Sequence, residues 1–93
     1  MGAHTPYPNP SNGGPVNVDV NLPTAANVSC EVFTTAFRKI VGQTWPAPAG
    51  NSSYQWDLTD KTGSRAANGL YYIRIQVTGA QPLTKVYKVL ISR

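Results

Sequence analysis

Several stretches of this chain alternate apolar and polar residues at a period of two. The clearest case is 70–77, where Tyr71, Ile73, Ile75 and Val77 fall on one side of the chain. Alternation of this kind is typical of a β-strand that buries one face in a core. The pattern predicts strands at 16–22, 28–33, 37–41, 53–56, 70–77 and 83–92.

These strands predict an all-β fold. No stretch shows the 3.6-residue periodicity of an amphipathic helix, and residues 46–53, rich in Pro, Gly and Ser, are predicted to form a loop. These six strands and the extended N-terminal entry that precedes them favour, in a chain of this size, an antiparallel β-sandwich of about seven strands, of the immunoglobulin or fibronectin-III type. The residues expected in its core are Val16, Val18, Val20, Val28, Cys30, Val32, Ile40, Trp56, Tyr71, Ile73, Ile75, Val77, Val89 and Ile91.

A long corner connects the strand that ends at Trp56 with the strand that follows Gly69. Asp60 and Gly63 occupy the first and last positions of a tight turn, where Asp can accept hydrogen bonds from backbone amides and Gly can adopt positive φ. Trp56 and Tyr71 flank this corner and are the largest residues of the predicted core. Their polar atoms need partners, and we expect each to bond a carbonyl of the corner.

The length of 93 residues fits one domain. Residues 1–5 resemble an expression leader, so we assign the domain to 6–93 and expect it to be the C-terminal part of a longer protein. No apolar run is long enough to cross a bilayer as a helix. Charged residues make up 13% of the chain, while Asn, Thr, Ser, Gly and Pro are plentiful, which favours an extracellular or cell-surface protein.

The net charge of +4 does not indicate a nucleic-acid partner. Its eight Lys and Arg residues are spread along the sequence. Nucleic-acid-binding proteins instead cluster their basic residues on one face or element. We therefore interpret the positive excess as a property of a solvated surface.

A catalytic role for Cys30 is not favoured. This single cysteine cannot form an internal disulfide, and it lies between Val28 and Val32 at the period of a buried position. A buried free cysteine behaves as a small hydrophobic residue. A nucleophilic cysteine would need a histidine nearby, and the only histidine is His4 in the leader.

The corner contains the oxygen-bearing side chains of Asp57, Asp60 and Asn68, which could be considered for calcium or for acid–base chemistry. Calcium requires six or more oxygen ligands, and these residues lack the dense Asp spacing of a dedicated loop. A glycosidase pair would need a cleft and one raised carboxyl pKa, and nothing in the sequence indicates either. We therefore expect turn capping, with no metal and no cofactor.

Trp45, Tyr54 and Tyr72 are candidates for an exposed aromatic surface. Tyr72 falls on the outward side of its strand, and Trp45 adjoins the proline-rich segment. Such a surface could stack on sugar rings, as in a carbohydrate-binding module. The alternative is that Trp45 and Tyr54 cover the end of the sandwich, since exposed aromatic patches more often mark protein contacts.

Taken in order, several motifs resemble the immunoglobulin-like domain of the flagellar hook-capping family. They are Tyr7-Pro8-Asn9-Pro10, the pattern formed by Trp56, Asp57, Asp60 and Gly63, then Gly69-Leu70-Tyr71, and a basic-aliphatic last strand. The related C-terminal sorting domains of type IX secretion share the Pro-Asn-Pro start, the Gly-x-Tyr strand and the lysine-bearing last strand. The resemblance implies a non-catalytic β-sandwich at the end of an exported bacterial protein.

One position departs from the family pattern. Relatives usually carry Gly followed by Arg or Gln in the second hairpin, whereas this chain has Phe37 before Arg38. Phe adopts positive φ only at an energetic cost. We therefore expect the turn between Phe33 and Arg38 to differ from the turn of the relatives, together with any partner contact that it carries.

The last strand carries Lys85 and Lys88, and Arg93 follows it. The resemblance implies that these cations could serve as a recognition signal for export or attachment. They could equally be edge-strand charges that prevent aggregation between sheets. Both roles can hold at once, so the sequence leaves them open.

The function expected from the sequence is sorting, surface attachment or assembly through contacts with a protein partner, by strand addition or surface contact. The alternatives are a carbohydrate-binding accessory module, a hook-cap assembly domain and, less favoured, a calcium-dependent module. Neither nucleic acid nor a membrane span is expected.

Overall fold

The computed structural model describes residues 2–3, 6–7, 9, 11–79 and 82–92 of the chain. Within these residues it contains strands and no helix, so no segment there is a candidate for a membrane-spanning helix. The strands are β1 (Gly2–Ala3), β2 (Val16–Leu22), β3 (Ala26–Thr34), β4 (Lys39–Ala47), β5 (Gly50–Trp56), β6 (Gly69–Thr78) and β7 (Leu83–Ile91).

The strands form two sheets. One sheet has the order β1-β2-β5 and the other the order β4-β3-β6-β7, and every pairing of neighbouring strands within them is antiparallel. Apart from one irregularity in β4, each long strand places alternate side chains toward the opposite sheet, as its sequence pattern requires. The predicted fold class, an antiparallel β-sandwich, is confirmed.

The core lies between the sheets. In β2 and β5, Val16 pairs with Trp56 and Val18 with Tyr54. Cys30 pairs with Ile75 in the facing sheet. The buried core residues are Val16, Val18, Val20, Leu22, Val28, Cys30, Val32, Ala47, Tyr54, Trp56, Leu58, Ala66, Tyr71, Ile73, Ile75, Val77, Val89 and Ile91.

Ile40, which was expected in the core, is only half-buried and packs at its margin. A β-bulge explains this difference. Val32 pairs with Val41 while Phe33 pairs with Lys39, so Ile40 is the extra residue of β4. The bulge shifts the alternation by one position and turns Val41, rather than Ile40, toward the core side.

The predicted loop at 46–53 is wrong for most of its length. Strand β4 continues to Ala47 and β5 begins at Gly50, so two residues connect them. Pro46 pairs with Asn27 within β4. Pro46 has no backbone N–H to donate. Because β4 is the edge strand of its sheet and has a neighbour on one side only, the proline interrupts no hydrogen bonds to a second strand.

The N-terminal part of the described chain contacts both sheets. Tyr7 exchanges two backbone hydrogen bonds with Asn17 of β2, at 3.0 and 2.7 Å. Ser11 donates its backbone N–H to the carbonyl of Leu90 in β7 and accepts one from Ser92. Between them, the side chain of Asn9 bonds the β7 backbone through both its oxygen and its nitrogen. These contacts cover the end of the β7 edge.

Candidate functional site

The corner between β5 and β6 is built as a structural element. Asp60 Oδ1 accepts hydrogen bonds from the backbone N–H groups of Thr62, at 2.9 Å, and Ser64, at 3.1 Å, and from the Thr62 hydroxyl at 2.6 Å. The Thr62 hydroxyl bond, followed by the amide bonds, lowers the pKa of the Asp60 carboxyl. Gly63 has a φ of 89° and donates to the Asp60 carbonyl, so the predicted tight turn is confirmed.

Asp57 is also engaged within the corner. Its Oδ1 accepts a hydrogen bond from the Thr59 hydroxyl. Within the described ranges, no three His, Cys, Asp or Glu side chains are grouped closely enough to hold a metal ion. The geometry at Asp57 and Asp60 is that of turn-capping carboxylates.

Trp56 and Tyr71 connect the core to this corner. The indole Nε1 of Trp56 donates to the Thr59 carbonyl at 2.9 Å, and the Tyr71 hydroxyl donates to the Ala67 carbonyl at 2.8 Å. The prediction that each would bond a corner carbonyl is confirmed. Leu58, in the same corner, has a φ of 64° and is buried, so packing in the core offsets its backbone strain.

Cys30 lies in the centre of the core with no exposed surface. Burial, followed by the charge of Glu31, raises the pKa of its thiol to about 12. A thiol with so high a pKa carries almost no thiolate near neutral pH, and the thiolate is the reactive form.

The three aromatic residues predicted to share one surface are separated by the structure. Trp45 and Tyr54 stack with ring centroids 6.2 Å apart, and the Trp45 indole donates to the Ser52 hydroxyl. Tyr54 is buried, which corrects its predicted exposure. Tyr72 pairs with Phe33 in the sheet and lies on the opposite, outward side. Tyr54 therefore lies in the core, and the partly buried Trp45 packs against that core.

Tyr72 instead stacks on Phe37. Their rings are nearly parallel, with centroids 5.1 Å apart and an interplanar angle of 4°. Phe37 is 69% exposed and has a φ of 61°. Phe37 therefore adopts the left-handed conformation that a glycine would favour, so the substitution of Phe for Gly does not by itself require a different turn.

The hairpin between β3 and β4 explains this conformation. Phe37 donates its backbone N–H to the Thr34 carbonyl, and Thr34 donates to the Arg38 carbonyl, both at 2.9 Å. A turn followed by one left-handed residue is a common three-residue hairpin, in which that residue is usually glycine. Left-handed backbone costs an ordinary residue about 1–2 kcal/mol. Here the cost brings an aromatic ring over Tyr72.

Next to this stack, Arg74 is held in place from two sides. Its guanidinium lies 5.1 Å from the centroid of the Phe33 ring, and its Nε donates to Glu31 Oε1 at 3.2 Å. Lys39 lies 3.2 Å from the other oxygen of Glu31. These bonds, Arg74 foremost, lower the pKa of the Glu31 carboxyl against the opposing effect of its desolvation.

The stack and the Arg74 guanidinium border a depression of about 350 Å³ on the outer face of the four-stranded sheet, lined by Phe33, Phe37, Tyr72, Arg74 and Val86. Sequence reasoning placed Tyr72 on the outward side but did not identify its neighbours. The alternation of β6 and β7 was the available signal for Arg74 and Val86, which fall on the same outward side as Tyr72. We call this site the aromatic-basic face and define it by Phe33, Phe37, Tyr72, Arg74, Val86 and Lys88.

The predicted contact residues of the last strand do not form one patch. Lys85 pairs with Ile75, a core-facing position, whereas Lys88 pairs with the outward Tyr72. Both lysines are exposed, but they project on opposite sides of the sheet. Arg93 lies outside the described residues.

Comparison with solved structures supports the resemblance seen in the sequence. Latent PorU from Porphyromonas gingivalis superimposes on 99% of this chain with a TM-score of 0.79 and 19% identity. PorZ, an essential bacterial surface component of the type IX secretion system of the same organism, superimposes on 99% with a TM-score of 0.66 and 18% identity. FlgD from Xanthomonas campestris, a protein of flagellar hook capping, superimposes on 86% with a TM-score of 0.65 and 26% identity.

The resemblance to hook-capping and type IX secretion domains is therefore confirmed at the level of structure. The chain spans 10% of the length of PorU, 12% of PorZ and 59% of the Xanthomonas campestris FlgD. Neither a protein-family model nor a curated protein matches the sequence.

Proposed function

We propose that this chain is a non-catalytic immunoglobulin-like module of a larger exported bacterial protein. In this proposal it serves sorting, surface attachment or assembly through contacts with a protein partner. The observation that carries the proposal is the superposition of almost the whole chain on small parts of latent PorU and of PorZ, a surface component of the type IX secretion system. A domain that occurs within a longer component of a secretion system fits a task in export or attachment.

The chemistry of the polar residues supports a non-catalytic role. Asp57 and Asp60 are occupied by bonds within their own corner, and Cys30 is buried as a thiol. The carbohydrate-binding alternative required Trp45, Tyr54 and Tyr72 on one surface. Since the first two rings stack at the inner side of the sandwich, we do not propose that function.

A delivery assay in Porphyromonas gingivalis tests the sorting proposal. The domain is fused to the C-terminus of a reporter carrying a periplasmic signal peptide, and the reporter on the cell surface and in the medium is compared with the reporter retained in the cell. We expect the fusion to reach the surface or medium, and the reporter alone to stay inside. Equal retention of both proteins would contradict sorting by this domain.

Matched variants separate a specific contact from folding in the same assay. Lys85→Ala and Lys88→Ala remove the two exposed cations of β7, which we propose as sorting contacts together with Arg93. Trp56→Ala is the control for loss of the fold, because this indole is almost fully buried. Delivery that survives replacement of all three cations by Ala would restrict their role to protection of the β7 edge.

The match to FlgD favours a hook-cap assembly domain as the second candidate, since the chain corresponds to more than half of that protein. This candidate is tested by replacing the corresponding segment of the Xanthomonas campestris FlgD with this domain and expressing the chimera in cells that lack their own FlgD. Motility restored relative to those cells would support assembly at the hook. Export of the reporter without restored motility would support the first proposal instead.

A further inference from the structure

The outer faces of the two sheets differ in chemistry. The three-stranded sheet presents polar side chains outward, namely Asn17, Asp19, Asn21, Asn51, Ser53 and Gln55. The aromatic-basic face instead exposes 69% of Phe37 and 55% of Val86, and Leu70 and Leu90 at its border are 39% and 41% exposed. Neighbouring exposed apolar residues on a sheet face usually mark an interaction site.

The aromatic-basic face is continuous across three strands and a hairpin. Phe37 stacks on Tyr72, Tyr72 pairs with Lys88, and Val86 pairs with Arg74. Phe33, the neighbour of Tyr72 in β3, lies beneath the Arg74 guanidinium. One partner segment could therefore contact all six defining residues without a break.

Three side chains of this face, those of Phe37, Tyr72 and Arg74, are held in place before any partner arrives. Arg74 is fixed by Glu31 and the Phe33 ring, and Phe37 by its stack on Tyr72. Preorganised side chains lose less conformational entropy on binding. Backbone strain at an exposed residue is also a feature of binding sites, and Phe37 carries it.

The charge of the face indicates the chemistry of its partner. Its cations are Arg74 and Lys88, and Lys39 lies beside it. Glu31 is the one carboxylate facing outward from the described part of this sheet, and it is already engaged by Arg74 and Lys39. The excess is positive, so an acidic partner is complementary. Two copies stacked through this face would oppose cation to cation.

We propose that the aromatic-basic face binds an extended acidic segment of a partner protein. Aromatic or aliphatic side chains of that segment contact Phe37, Tyr72 and Val86, and its carboxylates pair with Arg74 and Lys88. Arg, Tyr and Phe are the residues that are enriched at protein interfaces, which favours a protein over a lipid surface. This inference rests on the proposed function of a protein-contact module and names its surface and partner.

Three synthetic twelve-residue peptides test the proposal against the isotope-labelled domain. The first alternates Glu with Phe and Leu, the second replaces every Glu by Lys, and the third replaces every Phe and Leu by Ser. Two-dimensional amide NMR titrations locate the contacts. We expect saturable shifts for the first peptide at Phe37, Tyr72 and Val86 and none along β2, with weaker binding at high salt because exposed charge pairs are screened.

Matched variants connect the binding to side chains rather than to the fold. Phe37→Gly removes the ring at a backbone position that suits glycine, so the domain stays folded. We expect about tenfold weaker binding of the acidic peptide, in line with the loss of one aromatic contact at an interface. Gln55→Ala on the outer face of the other sheet is the control and should bind as the unchanged domain does.

The outcomes separate this inference from the proposed function. The inference would be overturned if the acidic and basic peptides bound equally well, or if the acidic peptide bound the Phe37→Gly variant as tightly as the unchanged domain. It would also be overturned by shifts confined to β2 or by no binding of any peptide. Binding to phosphatidylglycerol vesicles without binding to the acidic peptide would overturn it in favour of a membrane surface. If the reporter is still delivered in those cases, the proposed function stands without this face. If the acidic peptide binds but the reporter is not delivered, the inference about this face stands and the sorting proposal fails.

Discussion

The indole of Trp56 and the phenol ring of Tyr71 meet edge to face, with centroids 5.5 Å apart and an interplanar angle of 66°. They come from β5 and β6, which belong to different sheets, so the pair joins the two layers. Each ring also donates its one polar hydrogen to the corner that connects those strands. This pair therefore couples the packing of the core to the conformation of the corner.

Removal of the Tyr71 hydroxyl tests this coupling. Tyr71→Phe keeps the ring contact but deletes the bond to the Ala67 carbonyl, so we expect a loss of about 1 kcal/mol in the free energy of unfolding. Urea denaturation followed by Trp fluorescence measures it. Tyr72→Phe on the outer face is the matched control and should change stability by less than about 0.5 kcal/mol. An equal effect of both substitutions would show that the corner bond does not contribute.

At position 37 we expect glycine to be more stabilising than alanine, which reverses the usual order of these two residues. Because the φ of Phe37 is positive, Phe37→Gly should be more stable than Phe37→Ala by about 1 kcal/mol. At Ala36, whose φ is not positive, Ala36→Gly should be destabilising instead. Thermal or urea unfolding of the three variants provides the comparison. Equal stability of Phe37→Ala and Phe37→Gly would contradict the left-handed conformation.

The sequence predicted the parts of the fold that depend on local alternation. Side chains such as Val18 and Ile75 are buried because a period of two is the geometry of a strand, whatever its neighbours. The carbonyl partners of Trp56 and Tyr71 were predictable because each side chain has one polar hydrogen that burial obliges it to satisfy. Sorting and attachment, by contrast, were expected from the resemblance alone.

The sequence did not predict features that depend on pairing between distant residues. Pro46 indicated a break, yet its strand lies at a sheet edge, where a missing donor is tolerated. Ile40 matched the alternation of its strand, but a bulge opposite Val32 shifted that alternation. The site at Phe37 and Tyr72 joins a hairpin to a strand far along the chain, and no local pattern contains that contact.

Cys30 should be unreactive in the folded protein. Its pKa of about 12 and its full burial leave neither thiolate nor access for a reagent. At pH 8 a disulfide reagent such as DTNB should therefore label the native domain far more slowly than the domain in urea, where one thiol per chain should react at once. Rapid labelling of the native protein would place the cysteine outside the core.

Glu31 should make the domain less stable in acid. Its pKa is lowered from an ordinary value of 4.5, mainly by the hydrogen bond from Arg74, so the unfolded chain binds the proton more readily than the folded one. The stabilisation from Glu31 is thus complete above about pH 5 and is lost as the pH falls through the folded pKa. Urea unfolding at pH 7 and pH 3 measures the loss.

Glu31→Gln separates this contribution from that of other carboxylates, including Asp60, whose pKa is also lowered. The variant should be less stable than the unchanged domain at pH 7, because Arg74 and Lys39 lose their charged partner. The two unfolding curves should approach each other at pH 3, because protonation of Glu31 in the unfolded chain removes part of this contribution below its ordinary pKa of 4.5. A stability difference of the same size at both pH values would show that the Glu31 charge does not stabilise the aromatic-basic face.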